Sequence, residues 1–391
     1  MFLNQTPAPS GDLAHLYPEN TGNRYPFNQD LIRRLSVDQL QSFHCVNLAQ
    51  GIKQPIVYYQ QDPDEKHVRA VQRALADIRR FHGQPQGMYG GDEPMHGPDP
   101  TQGIELCSVV EMMFSLETMV GITGDLGMAD LLEWIAYNAL PAQTTADYKH
   151  RQYLQCANQV LVTRARRNFY EEDWHGGTDL CFGLLTGYPC CTCNMHQGWP
   201  KFVQNLWRAT ADGGLAALAY GPSAVAWRVG DGDGDDDGVH VRIEEETRYP
   251  FEETIRFRVE PEKAVTFPLH LRVPGWARGV EVTINGAKAE APTPTPTGTS
   301  NRLLVVKREW KPGDVVDVAF GAAVSTSRWH ENSVAVERGP LVYALRIEED
   351  WRWVKNGDKY GDYFEVHPKS PWNFGLVAEA VNRPEERIRM T

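Results

Sequence analysis

Through the first half of the chain, apolar residues return at three- and four-residue steps. Between Glu65 and Phe81, Val68, Val71, Leu75 and Ile78 keep that spacing while Arg69, Arg73, Asp77 and Arg80 fall between them, which predicts an amphipathic helix. From about Glu105 to Val120 the set Leu106, Val109, Val110, Met113, Leu116 and Val120 repeats the pattern, and Gly121 and Gly124 mark its end. Further helical stretches are expected at 29–43, 46–58, 126–139 and 198–207. The segment GQPQGMYGGDEPMHGPDPTQG, from Gly83 to Gly103, is too rich in glycine and proline to be regular. Loops of that length inside compact domains are usually functional.

After about Gly214 the period changes from 3.6 to two. Short alternating runs such as TIRFRVE, VEVTING, RLLVVKREW and DVVDVAF are separated by turn signals, among them Asn285-Gly286, a hairpin dipeptide. This half reads as a β-sandwich or a pair of small β-domains. Two low-complexity inserts interrupt it. GDGDGDDDG from Gly230 resembles a calcium loop only superficially, having no glutamate at the twelfth position, and reads as a solvated hairpin tip. APTPTPTGTS from Ala291 reads as a stiff exposed loop.

The 391 residues allow two or three domains. The excess of 51 acidic over 39 basic residues, a formal charge of -12, lacks the basic stripe that nucleic acid demands. No run of apolar residues is long enough for a membrane span, and the first twenty residues carry no signal-peptide pattern, so the reading favours a cytoplasmic protein with neither membrane nor nucleic-acid partner. Eleven Trp and fifteen Tyr suit carbohydrate faces, although core packing accounts for most such residues.

Four of the seven cysteines, Cys181, Cys190, Cys191 and Cys193, fall close together, which fits metal or thiol chemistry better than a disulfide framework. Glu105 and Cys107 stand two apart at a helix entrance, and Cys190 and Cys191 follow Pro189. Three thiolates and a carboxylate make a four-ligand zinc set, though the spacing matches no common zinc finger. Buried free thiols, a vicinal disulfide between Cys190 and Cys191, and redox exchange through Cys190-x-x-Cys193 are the alternatives. In the glycine-rich loop, Glu93 is a candidate general acid with Asp92 as its neighbouring rival, against the plainer reading of a surface carboxylate. His44 heads an apolar helix, where a capping or core histidine is the plain expectation.

Taken together, the loop with Glu93, PTQGIELC, the CC-x-x-N core of PCCTCNMHQGWPKF, T-x-YPF and FPL-x-LRVPGW resemble the zinc-dependent β-L-arabinofuranosidases of glycoside hydrolase family 127 and their relatives, from about His44 to Leu341. The resemblance implies an α+β multidomain chain. Residues 1–213 would be the C-terminal half of an (α/α)6-barrel-like catalytic domain, a partial toroid, and residues 214–391 β-sandwich domain(s). It implies that Glu105, Cys107, Cys190 and Cys191 hold Zn2+, that Cys190 is the nucleophile and Glu93 the acid/base, and that His44 contacts the substrate. Cys193 stands where a proline is common and takes no role. Twelve barrel helices need on the order of 300 residues, more than precede the β-half, so a missing N-terminal segment or a homo-oligomeric partner is expected to complete the barrel. The function implied is retaining hydrolysis of a carbohydrate substrate, releasing β-L-arabinofuranose or a related sugar from plant-type glycans. The alternative is a catalytically incomplete remnant with a structural zinc or a carbohydrate-binding role.

Overall fold

A computed structural model describes residues 44–167, 169, 172–230, 238–289, 295–296 and 302–389. The helix expected at 29–43 and the aspartate run 231–237 lie outside the described residues. Helices α1 (Cys45–Gly51) and α2 (Gln54–Tyr59) divide the stretch expected as one helix at 46–58; Pro55, at the start of α2, has no amide hydrogen with which to continue α1. Helix α3 (Lys66–His82) turns Val71 and Ile78 inward, as its periodicity predicts, and Ala74 with them, while Val68 and Leu75 are half-buried. Helix α4 (Leu106–Thr123) is the core of the helical part and ends on Gly124, whose φ of 66° provides the left-handed cap. It is long and apolar enough to cross a membrane, but 67% of it is buried inside the protein.

Helix α5 (Leu126–Trp134) is capped by Asp125, whose carboxylate accepts from Gly127 N and Met128 N, and it runs on through a π-helical turn at Ile135–Ala139. Helix α6 (Cys190–Gln204) begins eight residues before the start expected at 198 and ends three before 207. Its first turn, CCTCN, carries no apolar period, and Pro200 lies inside the helix.

Strands β1 (Ile104–Glu105) and β2 (Leu154–Gln155) pair antiparallel, setting Glu105 opposite Leu154. β3 is Phe182–Gly183. The β-half holds two larger sheets. One joins β4 (Trp207–Ala209), β5 (Leu215–Ala217), β9 (Val265–Val273), β13 (Arg302–Trp310) and β12 (Thr295–Pro296), antiparallel except for the parallel pair β5 and β9. The other runs from β6 (Ser223–Val229) through β7 (Val239–Thr247), β8 (Thr254–Pro261), β14 (Asp314–Phe320) and β10 (Val280–Ile284) to β11 (Ala287–Lys288). Burial alternates strictly along β8 and β14, as a half-buried sheet requires.

The Asn285-Gly286 hairpin forms as expected, with both residues at positive φ (52° and 78°). Part of the insert from Ala291 is not a plain loop, because Thr295–Pro296 pairs with β13. A three-stranded sheet of β15 (Val324–Arg328), β16 (Val334–Arg338) and β17 (Leu341–Tyr343) follows. The last strands, β18 (Glu349–Val354) and β19 (Tyr363–Pro368), return to pair with β3 beside the helices.

A buried polar cluster joins the halves. Arg272 on β9 is fully buried and donates to Leu218 O and to Asp130 on α5, with Nη2 2.5 Å from Glu133 Oε2. Glu133 also accepts from Tyr220 N at 2.9 Å and Tyr249 Oη at 2.7 Å. Close by, Glu245 on β7 accepts from Gly221 N and Ser223 Oγ, both at 3.0 Å.

Burial, reinforced by the nearby Glu133 charge, pushes the Glu245 carboxyl up to about 8, so the folded state holds this proton more tightly than the unfolded chain. Its contribution therefore falls as pH rises from the unfolded carboxyl range towards 8. Glu245→Gln should lose stability relative to wild type at about pH 5 and recover or exceed it at about pH 8.5, read by urea unfolding. A stability difference that does not change with pH would contradict this.

Candidate active site

Four ligand atoms from two segments converge: one oxygen of Glu105 and the Sγ atoms of Cys107, Cys190 and Cys191 lie within 4.8 Å of one another. Glu105 is the last residue before α4 and Cys107 lies in its first turn, so the turn out of β1 directs both inward. Cys190 and Cys191 open α6, where the unpaired amides of a helix N-terminus favour thiolate. Cys107 Sγ is 3.4 Å from Cys191 Sγ, and Glu105 Oε1 is 3.9 Å from both Cys190 Sγ and Cys191 Sγ. All are free thiols, so no vicinal disulfide forms, and Cys193 points to solvent.

Tetrahedral zinc with bonds near ~2.3 Å sets its sulfurs about 3.7 Å apart, close to these spacings, and the soft sulfur donors suit zinc. Burial pushes the Glu105 carboxyl up, with the Glu93 charge adding to it. Burial likewise raises the Cys191 thiol, whereas donation from the Cys107 and Cys191 thiols holds Cys190 low. Such a group can ionise together only with a cation among its members. The residues present therefore fit the metal.

The same cavity, of about 620 Å³, is lined by His44, Glu93, Glu105, Cys107, Tyr153 and Cys190. The loop carrying Glu93 packs into the core through Met88, Tyr89, Asp92, Met95 and His96, all buried. Glu93 has a φ of 87°, in the region that costs a non-glycine residue roughly 1–3 kcal/mol. Its carbonyl accepts from Cys45 N at 2.6 Å, which helps hold the turn. The turn separates the two rivals. Glu93 faces the cavity, whereas Asp92 is buried outside the cavity wall, 3.6 Å from His96 Nε2.

His44 fills the capping role and a second one. Nδ1 accepts from Asn47 N at 3.3 Å as the cap of α1, so Nε2 carries the proton and donates to Glu93 Oε2 at 2.8 Å. The other oxygen of Glu93 accepts from Tyr153 Oη. Burial keeps the Tyr153 phenol protonated, and the Glu105 and Glu93 charges add to the effect.

Sequence reasoning passed over Tyr153, Cys45, Arg151 and His175. Tyr153 precedes β2, and its carbonyl accepts from Leu106 N at 3.1 Å. Its ring lies 4.6 Å from that of His175, which bonds Asp179 at 2.5 Å. Arg151, fully buried, holds the loop leading into α6. It donates to Thr186 O at 2.5 Å, Tyr188 O at 2.7 Å, Leu184 O at 3.0 Å and Thr192 Oγ1 at 3.0 Å. No local pattern marks these residues, because Tyr153, Cys45 and Arg151 act across 35 or more positions of sequence and His175 meets Tyr153 across 22.

Arg151→Met would leave three carbonyls without this donor, for a loss of about 3 kcal/mol or more. Hydrogen exchange at residues 184–192 should accelerate beyond what the global loss explains. Exchange there no faster than elsewhere would show that the guanidinium does not hold the loop.

Comparison with known proteins gives the family. Residues 19–204 match the family profile of the β-L-arabinofuranosidase GH127 catalytic domain, and residues 214–321 that of the GH127 middle domain. A non-reducing end β-L-arabinofuranosidase of Bifidobacterium longum subsp. longum is 25% identical over 263 residues, 63% of this chain and 36% of that protein. A GH127 β-L-arabinofuranosidase from Geobacillus stearothermophilus T6 superposes with a TM-score of 0.64 at 22% identity, over 85% of this chain and 55% of the other. A structure described as a glycoside hydrolase gives 0.61 at 18% identity, over 96% of this chain and 72% of the other. The chain thus spans about a third of the curated relative's length and about half of the first solved structure's. Two profiles of one family, matched in order on either side of the passage from helices to sheets, make the chain a member of glycoside hydrolase family 127.

Proposed function

We propose that this chain carries the catalytic centre of a retaining glycosidase acting on β-L-arabinofuranosides or closely related sugars. The observation that carries this reading is the convergence of a three-thiol, one-carboxylate cluster and an oriented glutamate on one cavity. Glu105, Cys107, Cys190 and Cys191 would hold zinc. When bound, the metal keeps the thiols ionised and balances the buried negative charge.

Cys190 is the least buried of the three thiols and lines the cavity, which suits it to attack the anomeric carbon. Glu93 protonates the departing glycosidic oxygen as the S–C bond forms. It then takes a proton from the water that displaces sulfur, so two inversions return the original configuration. His44 and Tyr153 aim the two oxygens of Glu93, and the place of His44 in the cavity lining supports its reading as a substrate contact.

The helical part is taken as a portion of an (α/α)6 toroid and the two larger sheets as a sandwich. The edge-on contact of Trp207 on β4 with Phe257 on β8, 5.7 Å between rings, supports the latter. The fraction of the relatives' length that the chain spans keeps a second reading in play, a structural zinc protein without turnover.

Turnover of an aryl β-L-arabinofuranoside separates the two. Cys190→Ala should abolish release of the aglycone. Glu93→Gln should slow it about 10²- to 10⁴-fold, with the larger loss on substrates whose leaving groups are poor and need the proton most. One equivalent of zinc with no turnover on any aryl furanoside or pyranoside would favour the structural reading, and no zinc at all would defeat both.

A further inference from the structure

We infer that Cys45, the residue after His44, is a positioning residue of the metal centre: its thiol donates to Glu105 and turns one carboxylate oxygen away from the three cysteine ligands and the other towards them. This rests on the zinc reading of the site.

The two oxygens of Glu105 have different surroundings. Oε1 is the atom 3.9 Å from Cys190 Sγ and Cys191 Sγ, whereas Oε2 accepts from Cys45 Sγ at 3.4 Å. Both residues are buried, so neither water nor a mobile side chain replaces this donor at low cost. Cys45 is itself fixed at its backbone. Its amide donates to Glu93 O at 2.6 Å, its carbonyl accepts from Tyr89 Oη at 2.7 Å, and a Cβ on Gly91 would come within 2.5 Å of its own Cβ.

The thiol does not belong to the convergent ligand set, which closes on Glu105, Cys107, Cys190 and Cys191. A donor to the distal oxygen of a ligating carboxylate leaves the proximal oxygen free for single-oxygen ligation, and such outer partners typically govern metal affinity about 10- to 100-fold. Through its amide Cys45 also ties the backbone of Glu93 to that of α1. One residue thereby couples the placement of the acid to that of the ligand.

The test measures zinc affinity by chelator competition in the chain as it stands, for wild type, Cys45→Ala and Cys45→Ser, with melting of the metal-free forms measured alongside. Cys45→Ala should bind zinc about 10- to 100-fold more weakly, and Cys45→Ser, which keeps a donor, should stay within about threefold of wild type. With cobalt in place of zinc, the thiolate-to-metal charge-transfer band per metal should be the same in wild type and Cys45→Ala, because the thiolate count does not change.

Wild-type affinity in Cys45→Ala, or equal losses in both variants, would overturn the inference. A charge-transfer band weakened in Cys45→Ala would also overturn it, by making Cys45 a ligand. If Cys45→Ala does not fold, Cys45→Ser decides: a tenfold loss with native melting refutes the donor role. Failure of the wild type to take up zinc would sink the metal reading itself, an outcome distinct from normal uptake that is indifferent to residue 45.

Discussion

Glu105 is a buried carboxyl group set among thiols and beside a second carboxylate, and the architecture around it answers that constraint. Each ionised member of such a group makes the next harder to ionise, and burial removes the water that would screen them. The fold therefore brings donors rather than solvent to the site. Cys45 meets one oxygen of Glu105, His44 and Tyr153 meet Glu93, and the first turn of α6 presents its amide end where Cys190 and Cys191 stand. In number and softness the donor set suits the zinc proposed above.

Precision in such a centre depends on the segments that carry it. The pair β1 and β2 fixes Glu105 beside Tyr153, and the buried loop between α3 and β1 fixes Glu93, whose left-handed turn is held by Cys45 N of α1 on the Glu93 carbonyl and by Glu105 N of β1 on that of Gly91. Arg151 does the same for the loop into α6, with three backbone carbonyls and the Thr192 hydroxyl as acceptors within residues 184–192. The strain at Glu93 and the burial of Arg151 are both costs of a fixed geometry, and the surrounding packing has to offset them.

Helices α3 and α4 were legible in the sequence because their apolar spacing is long and ends in capping glycines or basic residues. The β-half was legible because its strands alternate. The convergence of Glu105 with the three cysteines could be read because glutamate and cysteine two apart, and adjacent cysteines, are rare enough to stand out. The start of α6 was hidden, since CCTCN has no apolar face and prolines at 189 and 200 obscure the period. Nor could the sequence decide between Asp92 and Glu93. The sign of one backbone angle turns the second to the cavity and leaves the first against His96. Cys45, Arg151 and Tyr153 carried no local signal at all, because their partners lie 41 to 60 positions away in the pairs that matter most.

That separation in sequence also bears on how the site comes into being. Its wall draws on residues near 44, 93, 105, 153, 174 and 190, and then on Lys359 and Tyr360 from the turn between β18 and β19. Those last strands reach the helices through β19, which adds to β3 directly before the loop that Arg151 holds, and Tyr360 donates to Trp174 O. The C-terminal strands are thus part of the frame that presents Cys190, and the buried Arg272 cluster joins the β-half to α5 by a second route. Closing loops of this length has an entropic cost that is recovered only when both ends pack, so the centre forms with the whole assembly and not within the helical part alone.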